Sequence, residues 1–192
     1  MGAGDQPYCG YWGCDMEGYA MDIRCDISKP LPFRDNAVSE IYASHVIEHF
    51  ALWQITGILH EWCRVLKAKS GQFWGFVPNG PEVAKQYLLA VEKKDERAKR
   101  QWIANFNGGY TNSPYIGFGE IHYAVYDEDL LRDVLSTAGF YPVMIQQQQM
   151  SEWDYRLVFL CGKGQFEPMV LTKPWEEEPV RAADPLGDAK YE

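Results

Sequence analysis

The stretch EIYASHVIEHFALWQITGILHEWCRVLKAKSGQFWGFVPNG, residues 40–80, decides the fold class. Its first five residues, EIYAS, form a short apolar run of strand character. Ile55, Ile58, Leu59, Trp62 and Leu66 then fall at offsets of 0, 3, 4, 7 and 11, one face of an amphipathic helix. QFWGFV at 72–77 is a second strand, closed by the turn signal Pro78-Asn79-Gly80. A strand, a helix and a strand in succession make the unit from which three-layer α/β folds with mostly parallel sheets are built.

The same alternation continues on both sides. Upstream, Tyr11 to Asp15 and Asp22 to Asp26 read as short strands, each ending in an acid. Downstream, Pro81 to about Asn105 reads as one long helix, and its charged middle, Glu92 to Arg100, as a solvated face. Gly108 to Gly119 is a glycine-rich, aromatic loop. Leu130, Leu131, Val134, Leu135 and Ala138 mark another helix, with Asp127 as N-cap and Gly139 as its stop. Tyr141 to Gln147 and Arg156 to Cys161 suit an antiparallel pair at a sheet edge. One domain over residues 1–164 is expected. Residues 165–192, with the run KPWEEEPVRAADPLGD, read as an extended Pro/Glu-rich tail that could dock on a partner through Trp175.

Composition limits the partners. The chain of 192 residues is 46% hydrophobic, with 7 Trp, 12 Tyr and 9 Phe, which supports a full core. Lys and Arg number 18 against 27 Asp and Glu, a net charge of −9, which argues against general nucleic-acid binding. No apolar run approaches the roughly 20 residues needed to span a bilayer, and no secretory signal opens the chain. A cytoplasmic protein without membrane contact is therefore expected. The odd number of cysteines, 5, and the absence of any C-x-x-C pair favour reduced, buried thiols over a disulfide framework or zinc ribbon.

In an open α/β sheet, ligands bind outside the carboxyl ends of the strands. Gly2 and Gly4 stand where backbone N–H groups can approach a ligand without an intervening side chain. Asp15 ends one strand, where a carboxylate can hold vicinal ribose hydroxyls. Asp26 and Ile27 follow the next, an acid and an apolar neighbour suited to an adenine. Ser44, His45, Glu48 and His49 follow the third.

CDISKPLPFRDNAVSEIYASHVIEHF, followed by LHEWCRVLKAKSGQFWGFVPNG, resembles the class I S-adenosylmethionine-dependent methyltransferases. The closest likeness is to a branch with an LPF-x-D-N, SH-x-x-EH and E-x-x-RVLK signature. GAGDQPYCGYWGCDMEGYAMDIRCD is similar to that branch's glycine motif and acidic strand end, and IHYAVYDEDLLRDVLSTAGF to a later segment. The resemblance covers roughly residues 2 to 161 and implies a Rossmann-like methyltransferase fold using S-adenosylmethionine. It implies that Gly2 and Gly4 line the methionine and ribose, Asp15 binds the ribose, and Asp26 with Ile27 binds the adenine. Ser44 and His45 would border the cofactor beside the substrate opening, and Glu61 with Arg64 would form a structural ion pair. In this family a strand precedes the glycine motif, whereas the chain begins at the motif itself, so the first core strand is expected to be lacking.

Methyl transfer from a sulfonium calls for positioning and, for a hydroxyl acceptor, a base. His49, His122 and His45 are the candidates, because imidazole titrates near neutral pH. The acceptor, a small molecule or a protein side chain, is not legible. Residues 1–50 hold eight acids and three bases, which argues against a polyphosphate substrate. Two other readings stand beside this one. The absent strand and the tail suit a non-catalytic structural or interaction protein with a degenerate cofactor site, assembled with a partner or a second copy. His45-Val46-Ile47-Glu48-His49 also fits the H-x-x-E-H pattern of inverted zinc peptidases, with both histidines on one helix face. Such a site needs a third protein ligand, which the sequence does not pick out, and the strand–turn context accounts for these residues without a metal.

Overall fold

The computed structural model describes residues 1–2, 10–16, 21–108 and 121–164. The glycine-rich loop beyond Gly108, Gly4 and the C-terminal tail lie outside the described residues. Two compact units divide between Pro32 and Phe33.

In the first unit, β1 (Cys14–Asp15) pairs parallel with β2 (Ile23–Arg24), Cys14 opposite Ile23 and Asp15 opposite Arg24. Both strands are shorter than the sequence suggests. At their start the Gly13 carbonyl accepts from the Asp22 and Ile23 N–H groups, both at 2.9 Å, and Gly13 N–H donates to Asp22 Oδ2 at 2.7 Å.

The second unit holds a four-stranded sheet of order β3-β4-β6-β5. Its strands are β3 (Glu40–Ser44), β4 (Gln72–Pro78), β5 (Val143–Ser151) and β6 (Asp154–Gly162). β3 and β4 are parallel and joined by α1 (Leu52–Val65). β4 pairs antiparallel with β6, and β6 with β5. The last two strands thus form a hairpin, but β6 is internal and β5 forms the edge. Burial follows this placement: Leu157 to Cys161 in β6 are buried, whereas the glutamines of β5 are mostly solvated.

β4 is buried along both faces, as expected for a near-continuous apolar strand in a layered α/β fold. On one face Phe73 meets Trp62 of α1, Phe140 and Phe159, with ring centroids 5.5, 5.2 and 4.9 Å away. α4 (Glu128–Thr137) packs beside α1 and adds Leu131 and Leu135 to this core. Gly75 is required where the parallel strands meet: a Cβ there would lie 1.8 Å from the Ala43 carbonyl oxygen.

Caps and terminal contacts fix the helices. Asp127 accepts from Leu130 N–H at 2.7 Å at the start of α4, and Gly139, at φ 99°, follows its end. Lys163 Nζ donates to the Arg64 and Leu66 carbonyls at the end of α1. Arg64 bonds both oxygens of Glu61 at 2.7 and 2.6 Å, as well as Asp35 and the Phe33 carbonyl. The expected ion pair therefore also ties α1 to the chain that precedes β3.

The long helix expected from Pro81 to Asn105 is two helices, α2 (Gly80–Glu92) and α3 (Glu96–Asn107). Lys94 takes φ 55°, and Asp95 caps the second helix by accepting from Ala98 N–H at 2.9 Å. The break lets both helices bury one face. Val83, Ala90, Ala98 and Trp102 form a second core with Tyr87, Phe106, Trp153 and Tyr155 packed on it. One straight helix would have carried these faces apart.

Candidate functional site

The parallel strands β3 and β4 end side by side, Ser44 opposite Phe76, and His45 N–H extends the ladder to the Phe76 carbonyl at 3.0 Å. His45 then takes φ 53°, a left-handed turn that histidine enters more readily than bulkier or branched residues. The chain bends at once into a single 3-10 turn, Ile47–His49. The two histidines of the H-x-x-E-H string therefore do not share a helix face, because the backbone leaves the helical region at His45.

Glu48 is the centre of what results. It is fully buried, one of two polar side chains in the core of the described residues. Its Oε1 accepts from His45 Nδ1 at 3.1 Å and lies 3.9 Å from His122 Nε2. Its own carbonyl accepts from Tyr123 N–H at 2.8 Å and Ala124 N–H at 3.1 Å, which fastens the returning segment to this turn. Oε2 is buried and has no hydrogen-bond partner among the described residues. Burying such an oxygen without a partner costs about 1–3 kcal/mol.

Three imidazoles surround this carboxyl. His49 Nδ1 donates to the Ile121 carbonyl at 3.1 Å, and its ring stands edge-on to that of His122 with centroids 4.9 Å apart. The His122 backbone N–H donates to the Asn107 carbonyl at 3.1 Å. Burial pushes the His122 pKa below its ordinary value of 6.5; Glu48 opposes this, and His49 and His45 reinforce it. A neutral imidazole is the consequence at neutral pH. Below them, the Tyr126 hydroxyl reaches the Ile47 carbonyl at 3.5 Å, and burial pushes its pKa well above the ordinary value. One ligand atom each from Glu48, His49 and His122 lies within 4.8 Å of the others, close enough for these side chains to hold a metal ion. His122 also lines a small surface recess of about 10 Å³, together with Pro78, Gly80, Val83, Asn105 and Phe106.

Sequence reasoning singled out His45, His49 and His122 individually, and the structure brings them together. Glu48, which the H-x-x-E-H string sets beside the two histidines on a helix, is instead the buried centre of a turn.

The remaining expected site residues lie in the first unit. Gly2, at φ 64°, donates its N–H to the Cys14 carbonyl at 3.0 Å and so lies against β1. Asp15 ends β1, with Oδ1 accepting from Met16 N–H at 2.7 Å. Asp26 follows β2, and its Oδ1 accepts from the Ser28 N–H and hydroxyl at 2.9 and 2.6 Å. The Ser28 hydroxyl bond is the main cause holding the Asp26 carboxyl below its ordinary pKa. Ile27 is buried beside it. Gly4 lies outside the described residues. Cys14, Cys63 and Cys161 are buried free thiols, and burial, chiefly, pushes the Cys14 pKa up to about 11.

Solved structures share this architecture. A Burkholderia thailandensis 1,6-didemethyltoxoflavin-N1-methyltransferase, determined with 1,6-didemethyltoxoflavin and S-adenosylhomocysteine, superposes with a TM-score of 0.50 at 15% identity. The match covers 79% of this chain and 60% of that one. The fold is Rossmann-like. A possible exported protein from Bordetella parapertussis gives the same TM-score at 12% identity, covering 74% of this chain and 44% of that one. The chain thus spans about half the length of these structures. No protein-family profile and no curated protein sequence matches it. Among the described residues, no helix is long and apolar enough to cross a membrane.

Proposed function

We propose that this protein is an S-adenosylmethionine-dependent methyltransferase acting on an acceptor not yet identified, with the cytoplasm as its compartment. The observation that carries the reading is the set of titratable groups gathered at the carboxyl ends of the parallel strands β3 and β4, where α/β folds bind ligands. The Rossmann-like fold it shares with a methyltransferase supports it.

The cofactor, when bound, supplies a methyl group on a sulfonium. The donors available for it suit its chemistry: Asp15 ends a parallel strand and offers a carboxylate to a ribose, and Gly2 presents backbone without a side chain. Gly4, Asp26, Ile27, Ser44 and His45 carry the other roles that the resemblance implies.

The proton released by a hydroxyl or amine acceptor goes to an imidazole. His45 is the best placed of the three candidates, with a side chain 36% exposed and its Nδ1 anchored on the buried Glu48. A carboxylate on Nδ1–H fixes the tautomer and leaves the lone pair on Nε2, the arrangement of a base with its orienting group. His122 is more deeply buried, and His49 is engaged by the Ile121 carbonyl. A second reading, a non-catalytic interaction module, becomes the conclusion if the folded chain binds no cofactor.

The test is binding of S-adenosylmethionine to wild-type protein and to Asp15→Ala. Loss of a charge-assisted two-point contact should weaken binding by about 1.5–3 kcal/mol, at least tenfold. An unchanged affinity in Asp15→Ala would remove the ribose from Asp15.

A further inference from the structure

Glu48, His49 and His122 have the properties of a metal site as well as of a proton relay. Three observations converge on it. One ligand atom from each lies within 4.8 Å of the others. Glu48 Oε2 is buried and unpartnered among the described residues, while Oε1 is engaged by His45. His49 Nδ1 donates to the Ile121 carbonyl, which leaves the lone pair on Nε2. Metal-binding histidines are characteristically oriented in this way, one ring nitrogen held by a carbonyl and the other given to the ion.

We infer that Glu48, His49 and His122 bind a divalent transition-metal ion, zinc in the first instance, with at least one coordination position left open. The donor set decides the metal class. Two imidazoles and one carboxylate suit zinc, whereas magnesium and calcium prefer oxygen donors alone. Three protein ligands are the number found where a fourth position stays open for water or another oxygen donor. His122 completes the set from 73 positions beyond His49, and His45 of the H-x-x-E-H string takes no part in it. Bonds of about 2.1 Å at tetrahedral angles bring ligand atoms to about 3.4 Å. The ligand atoms of the three side chains, within 4.8 Å of one another, would close to that geometry through side-chain torsions. The ion would also supply the buried oxygen with the partner it lacks.

His45 is outside this ligand set. It stays on Oε1 and orients the carboxyl, so its role as base and the ion are compatible. The inference does not rest on the methyltransferase reading, and its test contains no cofactor.

Chelator-treated full-length protein is titrated with zinc chloride and, separately, magnesium chloride by calorimetry. The visible spectrum of the cobalt(II)-loaded protein is then recorded. The expected result is one equivalent of zinc bound in preference to magnesium. The cobalt spectrum should show d–d bands without the near-ultraviolet band that thiolate ligands give. His122→Ala, shown to be folded by circular dichroism, should lose more than the about 10–100-fold that removal of an outer-shell partner costs. Absence of saturable zinc binding overturns the inference. So does a thiolate band, which would move the metal to the cysteines, and so does an unchanged affinity in folded His122→Ala. If His122→Ala does not fold, the wild-type stoichiometry and cobalt spectrum decide.

Discussion

Glu48 holds His45 through one carboxyl oxygen, Oε1 to Nδ1 at 3.1 Å, while its other oxygen is buried without a partner among the described residues. The pair sits at the turn where β3 ends. A left-handed residue and a single 3-10 turn carry the carboxyl inward from that strand. This geometry makes claims about protonation that can be measured without knowing the acceptor.

Neutral His45 is predicted to carry its proton on Nδ1, because a carboxylate can only accept there. Nitrogen-15 shifts of the imidazole at about pH 8 report the tautomer directly. Wild-type protein should show the Nδ1–H form, and Glu48→Gln should shift the balance toward Nε2–H. A dominant Nε2–H form in the wild type would detach His45 from Glu48.

The folding stability should fall on mild acidification, through His122. Burial lowers its pKa from 6.5, with His49 and His45 adding to the shift and Glu48 opposing it. Between the lowered value and 6.5 the unfolded chain binds more protons than the folded one, so stability rises with pH in that window. The His122 contribution is complete above about pH 6.5 and is lost as pH falls through the folded pKa. Urea unfolding across this range should show the slope in wild-type protein and a smaller one in folded His122→Gln. An equal slope in both would assign it to other groups.

Gly75→Ala should be strongly destabilising. The new Cβ would lie 1.8 Å from the Ala43 carbonyl oxygen, on backbone that cannot move without opening the β3–β4 ladder. The cost should exceed the about 1–3 kcal/mol typical of overpacked side chains. A thermal melt within experimental error of wild type would contradict the strand register.

Asp127→Ala and Asp95→Ala each remove a side-chain cap, accepting at 2.7 and 2.9 Å respectively. Each should cost about 1 kcal/mol in urea unfolding. The Asp95 result carries the additional claim, since an unchanged stability there would favour a continuous helix across Lys93 to Asp95.

Much of this was legible from sequence because local signals agreed with the fold. EIYAS is a strand at the expected bounds, and Asp127 caps the helix whose spacing announced it. Trp62, Trp74 and Trp102 are all core residues. The break between α2 and α3 was not legible, since no glycine or proline marks it. Its cause is tertiary: Trp102 must turn back toward Trp153 and Tyr155. The site was visible as separate histidines. That His122 would return to Glu48 depends on the Tyr123 and Ala124 N–H groups bonding the Glu48 carbonyl, a long-range contact without a local pattern. The H-x-x-E-H spacing does not put both histidines on one helix face, because positive φ at His45 ends the periodicity that the pattern assumes.

The most direct measurement of the central claim is calorimetric titration of the folded chain with S-adenosylmethionine and S-adenosylhomocysteine. The account predicts saturable binding of both at micromolar concentration, weakened at least tenfold in Asp15→Ala. No binding of either by a protein shown to be folded would contradict it and leave the fold serving as an interaction module.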